Sequence, residues 1–193
     1  MSEFEFVLIP VGIVIGLALA MILQSWGYVV RDISQTTKPT LFLSATALSL
    51  LLILLNFSGI WTYRGVQFAF SSGPLVFVMP LALILPILVH FMAVSVIVPR
   101  QIDSSTNLYD HYFSVSRKFW ILVFLANLVA LIPDLLPGVG WTLSFLEISP
   151  GFLLPLFLAA SKLRWVHISG HCVWWLITIA GYGYNFSEYL GTL

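Results

Sequence analysis

The sequence predicts an all-α membrane protein, a bundle of about six transmembrane helices. Three observations predict it. Of 193 residues, 60% are hydrophobic and only 8% charged, against roughly 25% charged in a soluble globular domain. Mean hydropathy is +1.01. The apolar residues also fall into runs long enough, at ~1.5 Å per residue, to cross ~30 Å of hydrocarbon. Lipid offers no partner to backbone N–H and C=O groups, so such runs must be helices. Eight basic and eight acidic residues cannot coat a soluble fold of this size. Six spans of ~20 residues fill about two-thirds of the chain. That leaves short loops and one transmembrane domain over residues 1–193.

Span one covers Phe6 to Leu23 and ends in Trp26, Tyr28 and Arg31. Glu3 and Glu5 precede it where a signal peptide would carry bases, so it reads as a retained helix. Span two runs from Thr40 to Trp61. Span three follows the turn signal Ser71-Ser72-Gly73-Pro74 and ends near Val98, before Pro99-Arg100. Span four begins at Phe119 and loses its pattern at Ile132-Pro133-Asp134. Span five lies between Trp141 and Ser161, interrupted by Glu147, Pro150 and Pro155. Span six runs from Val166 to Tyr184.

Basic residues orient this set. Arg31, Lys38, Arg100, Arg117, Lys118, Lys162 and Arg164 all fall in the three loops on one side of a six-span bundle, and only Arg64 on the other. The positive-inside rule makes those loops cytoplasmic and both termini external. Five or seven spans would split the bases. Trp26, Trp61, Trp120, Trp141 and Trp165 lie near span ends, where interfacial rings collect.

The loop Gln101–Arg117 has a pattern of its own. Asp103 is placed to cap a helix. Leu108, Tyr109, Tyr112 and Phe113 recur at one-turn spacing, with Asp110, Ser114 and Arg117 elsewhere on the wheel. The expectation is a short amphipathic helix on the cytoplasmic interface, between spans three and four. It is also the surface on which a protein partner would dock.

Polar groups deep in a span are costly and point to function. His90 lies ~12 Å from the inner edge of its span, His171 ~8 Å and Asn127 ~10 Å. Gln24 is near the inner end of span one. Gln24, His90, Asn127 and His171 therefore share the cytoplasmic half and, facing one another, would line a polar cavity. An imidazole titrates near 6.5 when unperturbed, so His90 would make such a cavity pH-sensitive. If the four do not meet, each is a separate interhelical hydrogen bond.

His167 and His171 share a helix face, and His90 lies at similar depth. These three are the candidate metal or haem ligands, but no cysteine pair or carboxylate pair completes a set. No bound cofactor is expected. Cys172 is the single cysteine, so an intrachain disulfide is impossible and thiol-redox chemistry lacks a second thiol. No nucleophile elbow, zinc-protease motif or paired acid motif occurs, so no catalytic residue is assigned. Zero net charge without a basic cluster argues against nucleic acid.

Gly12, Gly16 and Ala20 form a small-residue stripe on span one, suited to close helix approach within the bundle or between subunits. Pro80, Pro86, Pro150 and Pro155 predict kinks whose freed carbonyls need partners. Asp134 and Glu147 flank an external loop as solvated acids. Asn185-Phe186-Ser187 matches a glycosylation sequon.

The opening Glu5-Phe6-Val7-Leu8-Ile9-Pro10, and Leu108-Tyr109-Asp110-His111-Tyr112 followed by Arg117-Lys118-Phe119, resemble a loose set of bacterial polytopic membrane proteins of similar length. The resemblance implies a bacterial inner membrane and no activity. The expected function is a homo-oligomeric channel or transporter for ions or small solutes. The alternatives are a non-transporting scaffold, sensor or subunit of a membrane complex, and a histidine-ligated haem or metal protein.

Overall fold

In a computed structural model of the chain, residues 3–31, 39–62, 78–100, 102, 106–132 and 145–191 are described. Every regular element among them is a helix: α1 (Glu3–Arg31), α2 (Thr40–Thr62), α3 (Val78–Ile97), α4 (Leu108–Val129), α5 (Phe145–Ala160) and α6 (Arg164–Gly191). Val7–Arg31, Thr40–Ser58 and Leu108–Val129 are long and apolar enough to cross a membrane, and Leu81–Ile97 is a shorter apolar helix. The chain is a helical membrane protein.

The surface of α1 shows which solvent it meets. Val7, Val11, Ile15, Ala18, Ile22, Ser25 and Val29 recur every three to four residues and are buried, the spacing of one helix face. The other face carries exposed Ile9, Ile13, Leu17, Leu23 and Val30. A helix apolar on its outer face as well fits lipid rather than water. Gly12, Gly16 and Ala20 lie on that outer face. A Cβ added at Gly12 or Gly16 would meet nothing within 4 Å. Among the described residues the stripe therefore packs against nothing in its own chain.

Helix α3 lies against α1, α2 and α4; α6 lies against α2 and α5. Two apolar clusters result. One joins α1, the far half of α2 and α3 through aliphatic side chains such as Val11, Ile15, Ile53, Leu83 and Ile87. The other joins the first half of α2, the end of α3, α4, the end of α5 and the start of α6. It is rich in aromatics: Phe42, Tyr112, Phe119, Trp120 and Trp174.

Helix α4 corrects the expectation of a separate interfacial helix. It runs unbroken from Leu108 to Val129, because no glycine or proline interrupts those residues. Its cap is Asn107. The Asn107 side-chain oxygen accepts from the N–H of Tyr109 (3.1 Å) and Asp110 (3.2 Å). Its amide donates to Asp110 Oδ2 at 2.7 Å, a reciprocal arrangement like a capping box. Asp103 lies outside the described residues. Leu108 and Tyr112 are buried inside the chain, so half of the expected apolar face serves the core and not a membrane surface or partner. Trp120 is fully buried as well and leaves the expected interfacial belt, while Trp165 is 65% exposed.

Near the start of α6, Gly170 allows close approach to α5. A Cβ there would lie 2.5 Å from Leu158 Cδ2, and Leu158 is fully buried. Asp134, residues 135–144 and the Glu147 side chain lie outside the described residues, as do the side chains of Pro80, Pro150 and Asn185.

Candidate functional site

The second cluster contains a continuous hydrogen-bonded chain of side chains. It uses residues from one end of the bundle: Ser44 one turn into α2, Tyr112 and Trp120 on α4, the Ser161 carbonyl just after α5, and His167, His171 and Trp175 on α6. The spacing of His167 and His171, one turn apart, aims both rings at one neighbour. That neighbour is the Tyr112 hydroxyl, 2.8 Å from His167 Nδ1 and 3.0 Å from His171 Nε2. Trp120 Nε1 donates to the same oxygen at 3.1 Å. His167 Nε2 faces the Ser161 carbonyl at 3.0 Å. His171 Nδ1 faces Ser44 Oγ at 2.8 Å, and Trp175 Nε1 donates to Ser44 Oγ at 3.0 Å.

Donor and acceptor roles follow from the two ends. A carbonyl only accepts, so His167 Nε2 carries a proton. Neutral His167 then offers a lone pair at Nδ1, and Tyr112 donates to it. The Tyr112 oxygen accepts from Trp120 and from His171 Nε2–H. Neutral His171 accepts at Nδ1 from the Ser44 hydroxyl. Ser44 accepts from the Trp175 indole, which only donates. Every bond is satisfied in one direction: Trp175 to Ser44 to His171 to Tyr112 to His167 to the Ser161 carbonyl. The tyrosine uses its one proton and both lone pairs. Reversal would set the His167 lone pair against a carbonyl lone pair.

Tyr112, Trp120 and His167 are fully buried. Edge-on rings wall the chain in: Phe113 against His167 at 5.0 Å and Trp120 against His171 at 5.3 Å. Exposed Arg117 and Lys118 stand just past Tyr112 on α4.

A cavity of about 230 Å³ opens onto the network. Ser44, His171 and Trp175 line it, with Cys172 and Ile168. Arg164 also lines it and holds its guanidinium 5.6 Å over the Tyr109 ring.

The four residues expected to form one inner cavity separate. Gln24 is exposed and lines a different groove, between α1 and α3. His171 lines the α2–α6 cavity, and His90 and Asn127 line neither. Depth along a helix is readable from sequence, but the direction in which each side chain points is not. His90 is fully buried. Its Nδ1 donates to the Pro86 carbonyl of its own helix at 3.2 Å, and its Nε2 has no partner among the described residues. Asn127 is half-buried on α4.

A metal or haem iron would need a histidine lone pair. Those of His167 and His171 accept hydrogen bonds from Tyr112 and Ser44. Among the described residues no group of three or more His, Cys, Asp or Glu is placed to hold a metal ion. Sequence reasoning missed Ser44 and the buried role of Tyr112. A hydroxyl in an apolar run carries no spacing signal. Tyr112 read as one member of a lipid-facing stripe.

The chain matches no protein-family model, no curated protein and no solved structure.

Proposed function

We propose that this chain is an inner-membrane transporter that couples protons to a small solute. It crosses the membrane six times, with both termini outside and the Tyr112 network on the cytoplasmic side. The observation that carries this reading is the unbroken run of Ser44, His171, Tyr112 and His167 beside a cavity that two of them line. Each of these groups both gives and accepts a proton. Histidine chains of this kind in membrane proteins mark proton relays. A structural tie between two helices needs only one such bond. The solute that fits is small and apolar-bodied with a negative end, because the cavity is mostly apolar and Arg164 supplies its charge. The outward stripe of Gly12, Gly16 and Ala20 is where a second copy would pack.

Proteoliposomes containing a pH-sensitive dye test this directly. An imposed potential is expected to drive proton entry in the wild type. Entry should fall to the level of empty vesicles in Tyr112→Phe and in Ser44→Ala, the milder change at the end of the chain. Wild-type vesicles as tight to protons as empty ones, with and without short-chain carboxylates outside, would overturn the reading.

A second reading rests on the saturation of the same network. With every donor and acceptor used, it also serves as a rigid clamp of a non-transporting subunit. In that case Tyr112→Phe lowers stability and no flux exists to lose.

A further inference from the structure

The groove between α1 and α3 is separate from the network and larger than its cavity, about 500 Å³. Its walls come from residues 21–28 of α1 and residues 95–102 at the end of α3. Among the described residues no carboxylate lines it.

Its polar groups divide into spent and unspent donors. Ser25 gives its proton to the Ile22 carbonyl at 2.7 Å, and Ser95 gives its proton to the Met92 carbonyl at 2.7 Å. Neither is left to donate. The Gln24 amide reaches Tyr28 Oη at 3.5 Å, which uses one of its two protons and leaves the phenolic proton of Tyr28 to point elsewhere. Arg100, exposed at the groove's end, brings five N–H donors in a planar fork. Arg31 holds its guanidinium 5.0 Å over the ring of Tyr28, one of the groove's residues.

Two opposing effects are present: α3 ends here at Ile97 and α1 at Arg31, and each C-terminus carries roughly half a negative charge. Arg100 sets a full positive charge against them. The Ile97 carbonyl at the α3 terminus is also already covered by His111 Nε2, at 2.9 Å. Met21, Val98 and Ile102 form the groove's apolar side. Beyond Met21 lies the outward aliphatic face of α1, with Leu17 and Ile13 exposed.

We infer that this groove binds a phosphate oxyanion carried by an anionic glycerophospholipid, with Arg100, Tyr28 and Gln24 on the phosphate and the acyl chain along α1. A basic pocket between helices at the cytoplasmic headgroup level is the setting in which such headgroups are held. The fork of Arg100 suits two phosphate oxygens at once. The groove is far larger than one phosphate, which favours a headgroup with its glycerol over the free anion. This inference rests on the proposed membrane orientation and not on proton transport.

The test is native mass spectrometry of the full chain in mild detergent, titrated separately with phosphatidylglycerol, phosphatidylcholine and inorganic phosphate. Phosphatidylglycerol adducts are expected to form about tenfold more tightly than phosphatidylcholine adducts. Arg100→Gln should remove that preference, and Tyr28→Phe should reduce it. Arg100 is exposed, so its substitution leaves the fold intact, as an unchanged melting temperature without lipid would verify. Equal binding of the two lipids, or an unchanged preference in Arg100→Gln, overturns the inference. Displacement of phosphatidylglycerol by millimolar inorganic phosphate overturns the lipid as the source and assigns the groove to a soluble phosphate.

Discussion

Two regions of this molecule bury histidine in opposite ways. At the start of α6, His167 and His171 have all four ring nitrogens in hydrogen bonds, to groups from three other parts of the chain. In α3, among the described residues, His90 bonds only to its own helix and leaves Nε2 without a partner. The residue type is the same and the burial is the same. The surroundings differ. The first pair sits among indoles, a phenol and a serine. His90 sits one turn from Ile87 and Val94, in the aliphatic cluster of α1, α2 and α3. A buried polar group costs little when paired and much when alone. The pair therefore ties the fold together, while His90 is carried at a cost.

The largest effect that would break this contrast is at Tyr112. Tyr112→Phe strands His167 Nδ1, His171 Nε2 and Trp120 Nε1, and at ~1–3 kcal/mol per unsatisfied buried group the expected loss is ~3 kcal/mol or more. Denaturant unfolding in detergent measures it, and a loss below ~1 kcal/mol would mean the network is not formed as described.

Gly170→Ala pushes α6 away from Leu158 and should cost ~1–3 kcal/mol by overpacking. Adding Leu158→Ala should return part of that loss, and strict additivity of the two changes would deny the contact. Asn107→Ala removes the α4 cap and should cost ~1 kcal/mol, read as a lower melting temperature and faster amide exchange in the first turn of α4. His90→Leu sharpens the comparison from the other side. It removes an unpartnered nitrogen from an apolar setting, so stability is expected to hold or rise. A drop of ~2 kcal/mol or more would show that His90 has a partner outside its own helix.

The limits of sequence reading follow the same division. Hydropathy locates α1 and α2 well, because lipid solvation acts on whole runs of residues. Helical spacing places His167 and His171 on one face. Neither signal says what lies opposite. Tyr112 was readable as the apolar side of an amphipathic turn, and it is buried, but its hydroxyl makes it the centre of the network. That depends on the rotation of α4 against α6, which is set by contacts among Leu108, Phe119, Trp120 and Trp174. The cap expected from sequence was Asp103, outside the described residues; α4 starts at Asn107, with Asp110 three residues on, a signal the sequence reading passed over. Gln24 and His171 match in depth and lie in different grooves for the same reason as Tyr112: height is periodic in sequence, azimuth is tertiary.

If the chain carries protons as proposed, the one-way order of the bonds from Trp175 to the Ser161 carbonyl has a kinetic consequence. In the proposed relay, Ser44 would be resupplied from the cavity it lines and the His167 Nε2 proton would leave to solvent past the part-exposed Ser161. One such passage swaps the protonated nitrogen of both imidazoles and reverses the row of dipoles. His167 then presents bare Nε2 to a carbonyl oxygen 3.0 Å away, where both atoms repel. No second proton can follow until the rings turn over and the dipoles realign. Turnover would therefore be paced by ring reorientation among tightly placed aromatic neighbours, with the α6 imidazoles acting as the escapement that releases one charge per cycle.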